Sequence, residues 1–276
     1  MAINLVTKFS PLVDEKFTAE SKTSLVTNKD YDFVGAHTIK IYSVGTAPMN
    51  DYGRNTAGTS RYGTVNDLSN TLQEVSMEKD RSFTFAIDKM DEDETLGAMN
   101  AGSALARQLR EIVIPEVDTY TYAKIAAGAG TTVEETLTNT TTYDSIAKAT
   151  ETLDESMVPV EGRVAIMTPA TYTLLKSDTK AVLETETGQN MRIRGVVSNM
   201  DGVMIQKVPS TFLPENTNYI LTHKIATTQA IKLAEYKINT DPQGISGTLV
   251  EGRIYYTAFV RTNKAKAIYV SNKPGA

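Results

Sequence analysis

The 276-residue chain has no cysteine and no tryptophan, and it has only two histidines. Without cysteine there is no disulfide framework, no thiol nucleophile, no Cys-ligated zinc and no iron–sulfur cluster. Imidazole chemistry is left to His37 and His223. Neither has a Glu or a second His at helical spacing, so hydrogen-bonded or surface roles are expected for both. Long apolar runs are missing too. Ile112-Val113-Ile114 and Val164-Ala165-Ile166-Met167 fall far short of the roughly 20 residues that cross a bilayer. The first residues show no basic leader followed by an apolar core, so no secretory signal is expected and a soluble cytoplasmic product is. A formal net charge of -5 argues against gripping nucleic acid by neutralising phosphates.

What is present is a globular composition, 41% hydrophobic and 22% charged, with threonine at about one residue in seven. Residues 1–36 carry Phe9, Leu12-Val13, Phe17 and Leu25-Val26 at intervals without lasting periodicity, which predicts an extended arm lying along a surface. Thr38–Val44 and Ser82–Ile87 alternate as strands do. Between them lies an excursion broken by Pro48, Gly53, Gly58 and Gly63, with some strand character regained only over Leu72–Met77. So long a connection with so little core pattern is expected to be ordered from outside the subunit. From Asp91 to about Ile125, Leu96, Met99, Leu105, Leu109, Ile112, Val113 and Val117 recur at helical steps. They predict one long helix kinked at Pro115, with acidic residues 91–94 at its positive end and Gly128 and Gly130 as its stop. Helices follow over about 143–155 and from Pro169. Asp201-Gly202 marks a hairpin between 196–200 and 203–208, and the last 60 residues are strand-rich, at 219–222, 230–238, 247–260 and 265–270.

No chemical constellation stands out. Gly128-Ala129-Gly130 follows a helix and lacks the rest of a phosphate loop. Residues 91–94 lack the spacing of a calcium loop, and Gly244-Ile245-Ser246-Gly247 lacks that of a nucleophile elbow. Arg54, Arg61 and Tyr62 in the excursion are too few for a nucleic-acid stripe and suit contacts with a neighbouring subunit. The chain is therefore expected to be no enzyme, with no catalytic residue, no cofactor and no metal.

Several stretches carry a resemblance: Lys8-Phe9-Ser10-Pro11, Val13 to Phe17, Asn28 to Phe33, Arg61-Tyr62-Gly63, Ser82 to Asp88, Ile114 to Asp118, Glu161-Gly162-Arg163-Val164, Gly244 to Arg253 and Asn263 to Tyr269. With these the chain resembles the Hong Kong 97-type major capsid proteins of tailed bacteriophages and prophages of Gram-positive hosts. The resemblance implies an α+β fold with an N-terminal arm at 1–36 and an extension loop at 37–88. It implies a peripheral domain with a spine helix at 89–130 and 236–262, and an axial domain at 131–235 and 263–276. It further implies self-assembly into pentamers and hexamers that form an icosahedral shell around double-stranded DNA held by weak contacts. A separate scaffold protein, a portal, synthesis in the host cytoplasm and no membrane partner follow from it as well. Phe9, Phe17, Arg54, Arg61, Tyr62 and Lys79 are the candidate inter-subunit contacts. Two alternatives stay open: an encapsulin-like compartment shell, and a cytosolic α/β enzyme with a dimerisation arm.

Overall fold

The computed structural model describes residues 21–33, 36–54, 60–95, 100–178 and 199–275. Strand β1 (Thr38–Val44) pairs antiparallel with β2 (Asn70–Ser76), not with the strand at 82–87 that its alternation resembles. That strand, β3 (Lys79–Asp88), leaves the hairpin. It joins a three-stranded antiparallel sheet in the order β3-β10-β9 with β10 (Gly247–Val260) and β9 (Thr227–Thr240). The reason lies in its faces: Phe83 and Phe85 pack with Tyr236, Val250, Ile254 and Tyr256 against Leu105, Leu109, Val113 and Val117 of the helices that follow.

The expected single helix is divided. Residues 91–94 belong to a short helix, α1 (Lys89–Glu94), capped by the Asp88 carboxylate on the Met90 N–H at 2.8 Å. A separate helix, α2 (Ala101–Gln108), starts where the Asn100 side chain accepts from Gly102 N. Only Asp91 and Glu92 fall in the first turn of this six-residue helix, where negative charge meets the dipole favourably, while Asp93 and Glu94 lie at its end, so the cluster does not sit at the positive end of the long helix. Leu96 and Met99 lie outside the described residues. From α2 the chain continues through one π turn, Leu109–Val113, into α3 (Ile114–Ala127), on the order of 40 Å in all. The wide turn comes just before Pro115, whose missing N–H cannot serve the carbonyl four residues back, so the ladder is rearranged there rather than broken. The glycines that follow α3 act by closeness. Gly128 has an ordinary negative φ, but a Cβ on it would lie 2.6 Å from the Val260 side chain, and one on Gly130 would lie 2.6 Å from Ala265 O.

The remaining chain builds a six-stranded mixed sheet in the order β4-β11-β8-β5-β7-β6. Its strands are β4 (Thr131–Glu134), β5 (Arg163–Met167), β6 (Asn199–Met200), β7 (Val203–Lys207), β8 (Thr217–His223) and β11 (Ile268–Asn272). Ala265 belongs to the 3-10 turn Thr262–Ala267 ahead of β11. Helices α4 (Thr142–Glu155) and α5 (Pro169–Ser177) pack on one face with Ala165, Met167, Tyr219 and Leu221. The other face, with Val164, Ile166, Ile220 and Val270, meets Tyr122 and Ile125 of α3. Burial on both faces explains why β5 reads as a continuous apolar run over Val164–Met167 and why β8 carries Tyr219, Ile220 and Leu221 in succession. The Asp201-Gly202 turn takes positive φ at both residues, 50° and 78°, as its sequence predicts.

Residues 21–33 lie along a surface of their own subunit, as an arm with apolar anchors is expected to lie along some surface. The 3-10 turn Lys22–Leu25 delivers Ser21 Oγ, Lys22 N and Thr23 Oγ1 to the buried Asp118 carboxylate at 2.7, 2.9 and 2.9 Å. Val26 enters the core beside Tyr122. Asn28 N donates to Thr227 O, and Asn28 O accepts from Gln229 N.

Gly252 sits mid-strand in β10, opposite Phe83 on one side and Tyr236 on the other. A Cβ there would fall 2.3 Å from Phe83 Cζ and 2.9 Å from Tyr236 Cδ1. The two rings, 6.1 Å apart, lie over the glycine and fill the place of its missing side chain. Gly252→Ala should therefore destabilise by about 1–3 kcal/mol through displacement of these rings. The check is the denaturant midpoint; an unchanged midpoint would show that the rings move freely.

Candidate functional site

The long excursion becomes the candidate site. The β1–β2 ladder extends one step further, with Gly45 N donating to Ser69 O at 2.8 Å, and beyond it the chain runs out as a tip. Local bonds shape this tip: Gly53 N donates to Arg61 O at 2.9 Å, and Asn50 Nδ2 to Tyr62 O at 3.3 Å. Gly63 has φ +83°, and a Cβ there would strike the Asn50 side chain at 2.8 Å, so glycine fits both the turn and the close approach. The Tyr52 and Tyr62 rings meet edge to face at 5.1 Å.

Much of the tip's apolar surface faces outward. Met49 is 98% exposed, Val65 85% and Tyr62 79%, with Tyr52 and Leu68 each half exposed or more. Apolar side chains gathered this way on one projection mark a contact surface.

The root of the hairpin, by contrast, is fastened to the body. Ile41, Val75 and Met77 are buried with Phe33, Ala230 and Phe259, so the stretch 45–79 does contribute to an intramolecular core, contrary to its weak pattern. Gln73 Nε2 donates to Val260 O at 2.9 Å, and its Oε1 accepts from Thr262 N at 3.0 Å. Glu78 accepts from Lys124 Nζ and from Tyr120 Oη, both at 2.9 Å. The hydrogen bond from Lys124 holds the Glu78 carboxyl below its ordinary range, and the same bond raises the Lys124 ammonium. His37 Nδ1 bonds Tyr255 Oη at 2.7 Å. The arrangement is a firmly rooted lever with a sticky end.

Of the sequence candidates, Arg54, Arg61 and Tyr62 come together on this tip, all exposed. Lys79 stands apart at the root, exposed, with its ammonium 5.6 Å from the centre of its own subunit's Tyr120 ring. Phe9 and Phe17 lie outside the described residues. Met49, Tyr52, Val65 and Leu68 were not singled out by sequence reasoning; in isolation each looks like an ordinary apolar residue in irregular chain, and only their joint exposure marks them. Among the described residues no cluster of His, Asp and Glu could hold a metal ion, and no helix is long and apolar enough to cross a membrane. His223 is a structural bridge: its Nε2 donates to Glu161 O at 2.7 Å and its Nδ1 accepts from Ile225 N at 3.1 Å.

Residues 72–271 match the family model described as phage capsid protein. Among curated proteins none matches the chain. Solved structures are similar over nearly its whole length. A chain from Mycobacterium phage Che8 is 19% identical with a TM-score of 0.69, over 93% of this chain and 92% of that one. The capsid of cyanophage P-SCSP1u gives 16% identity and a TM-score of 0.74, over 91% and 87%. The mature capsid of bacteriophage PhiM1 gives 11% and 0.72, over 93% and 88%. At these identities the likeness is one of fold.

Proposed function

The chain belongs to the phage capsid protein family, and from that premise we propose that it is the major capsid protein of a tailed phage or prophage, joining in pentamers and hexamers into an icosahedral shell around double-stranded DNA. The observation that carries this reading is the rooted β1–β2 hairpin with its exposed apolar tip, a surface built to be buried against another copy. In this reading residues 1–36 are the arm and 37–88 the extension loop. Helices α1 to α3 with β10 and the end of β9 are the peripheral domain, 89–130 and 236–262. The six-stranded sheet with α4 and α5 is the axial domain, 131–235 and 263–276.

A shell shares its load over many contacts, so modest pairwise affinities suffice and no reactive side chain is needed. An acidic chain suits a container that must fill with DNA and release it, with contacts to the genome kept weak. Capsid family membership likewise favours a structural over a catalytic role. A separate scaffold protein and a portal are the further partners, the host cytoplasm is the place of synthesis, and the virion is the destination. An encapsulin-like compartment shares the premise of a shell, but the family match favours the phage capsid.

Negative-stain microscopy with sizing of the purified protein tests the reading. Closed shells are expected. A discrete monomer at every concentration, with a ligand-dependent melting shift, would overturn it in favour of an enzyme. Purified shells that consistently carry a protein cargo instead of nucleic acid would favour a compartment.

A further inference from the structure

The chain passes between its two larger sheets from α3 into β4, from β8 into β9, and from β10 through the 3-10 turn into β11. Helix α3 belongs to both bodies: Ile114 and Val117 lie in the core under the three-stranded sheet, Tyr122 and Ile125 in the core under the six-stranded one. Backbone hydrogen bonds tie the first two passages to the third. Gly130 N donates to Ala265 O at 2.9 Å, joining the end of α3 to the turn before β11. Arg261 N donates to Ala226 O at 3.0 Å, joining that same connection to the β8–β9 passage. Between α3 and the β8–β9 passage there is a side-chain bond, from Gln229 Nε2 to Thr121 Oγ1 at 3.2 Å.

Residues 21–28 close that remaining side of the joint as a strap. One end holds α3 through Asp118. The other holds the β8–β9 passage, where Asn28 Nδ2 donates to Lys224 O at 3.0 Å and Asn28 Oδ1 accepts from Thr228 Oγ1 at 2.6 Å, beside the backbone bonds to Thr227 and Gln229. Between the two ends Lys22 O accepts from Gln206 Nε2 of β7 at 2.7 Å, and Val26 fills the core over the six-stranded sheet. Asp118 makes the docking specific. A fully buried carboxyl in mid-helix, between two apolar cores, is costly unless it is hydrogen-bonded. Ser21, Lys22 and Thr23 all reach it from the strap, so the helix carries a polar group whose partners arrive only when the strap is seated.

We propose that the strap of residues 21–28 is a clamp that fixes the angle between the three-stranded and six-stranded bodies, and through that angle the curvature at which copies join. A joint tied along two of its sides can rock about them; a tie along the third stops the rocking, and one angle dominates. The clamp is a property of the subunit, whereas its effect on curvature rests on the shell-forming reading.

The cysteine-free chain lets the angle be read directly. Spin labels at Thr84→Cys on β3 and Glu151→Cys on α4, both exposed and one on each body, report the separation of the bodies in the unassembled subunit. A single narrow distance is expected with the strap seated. Asp118→Ala, which frees the strap at α3, should broaden the distribution about twofold. Asn28→Ala, which weakens the other end and leaves the buried carboxyl with its donors, should broaden it less. Both variants should keep a cooperative melt. An unchanged width in both would overturn the clamp, and so would broadening that appears only together with loss of the cooperative melt, since that is unfolding rather than a freed joint. Assembled particles of the strap variants should vary in diameter where the unaltered chain gives one size; a single, unchanged diameter from Asp118→Ala would overturn the link to curvature. Failure of the unaltered chain to form particles under any condition would count against the shell reading and leave the spin-label result standing.

Discussion

Replacing residues 46–68 by an Asn-Gly turn should leave a subunit that folds and melts cooperatively but forms no shells. The cut is placed by structure. Gly45 and Ser69 already face each other through a ladder hydrogen bond, and a two-residue Asn-Gly loop closes such a pair with the twist that antiparallel strands need. Everything that fastens the hairpin survives: the register Thr38 to Ser76 through Val44 to Asn70, the buried Ile41, Val75 and Met77, and the bonds made by Gln73 and Glu78. A cut extending to residue 79 would remove Val75 and Met77 from that core and would confuse unfolding with loss of assembly.

The size of the effect follows from the removed side chains. Met49, Tyr52, Tyr62, Val65 and Leu68 would each contribute about 1.5–3 kcal/mol if fully buried against a neighbour. Much of that is offset by ordering and by incomplete burial. Even about 4 kcal/mol remaining per contact is a thousandfold in affinity, and a shell repeats the contact in every subunit. Calorimetry and sizing of the variant beside the wild-type chain decide the matter. Shells of normal size from the shortened chain would remove the hairpin from the assembly mechanism, whereas loss of the cooperative melt would mean that the tip is part of the fold.

Local patterns carried much of this architecture. The alternation of 247–260, the apolar run at Arg163–Met167, the helical face of Ile146, Ala149 and Leu153 and the Asp201-Gly202 turn all sit where their periodicity or turn chemistry puts them. Pairing did not follow from such patterns, because nothing local distinguishes β2 from β3 as the partner of β1. The choice is made by Phe83 and Phe85 finding Tyr236 and the helices far along the chain. The helical repeat from residue 91 onward hid the new cap at Asn100, since an N-cap inside an apolar repeat looks like one more polar position. Gly252 likewise has no visible reason until two strands bring aromatic rings over it. For the candidate site, Arg54, Arg61 and Tyr62 were legible because charge and an aromatic stood out in a poorly patterned stretch. Met49 was not, because a methionine in irregular chain becomes unusual only once its exposure is known.

Asp118→Ala should detach the strap formed by residues 21–28 at a cost of about 3 kcal/mol, since three donors lose their shared acceptor and at least the Lys22 N–H has no substitute. With the strap gone, Val26 leaves the core over Tyr122 and Ile125, so faster proteolysis within residues 21–28 should accompany the lower melting temperature. Asp118→Asn is expected to behave differently. Ser21 and Thr23 hydroxyls both meet Oδ1 and can reverse to accept from an amide NH₂ there, while the amide oxygen still serves Lys22 N. Burial is the largest influence on this carboxyl and raises it above its ordinary 3.8, against the opposing hydrogen bonds from Ser21, Lys22 and Thr23. A carboxyl raised in the folded state binds its proton more tightly there than in the unfolded chain. Its contribution is therefore most favourable below the ordinary value and is lost as pH rises through the folded value. Other carboxyls titrate in both proteins and cancel in the comparison, so the wild-type melting temperature minus that of Asp118→Asn should grow as pH falls from about 7 to about 4. A difference that shrinks over the same range would mean that the three donors outweigh burial and that the strap is held by the ionised carboxylate.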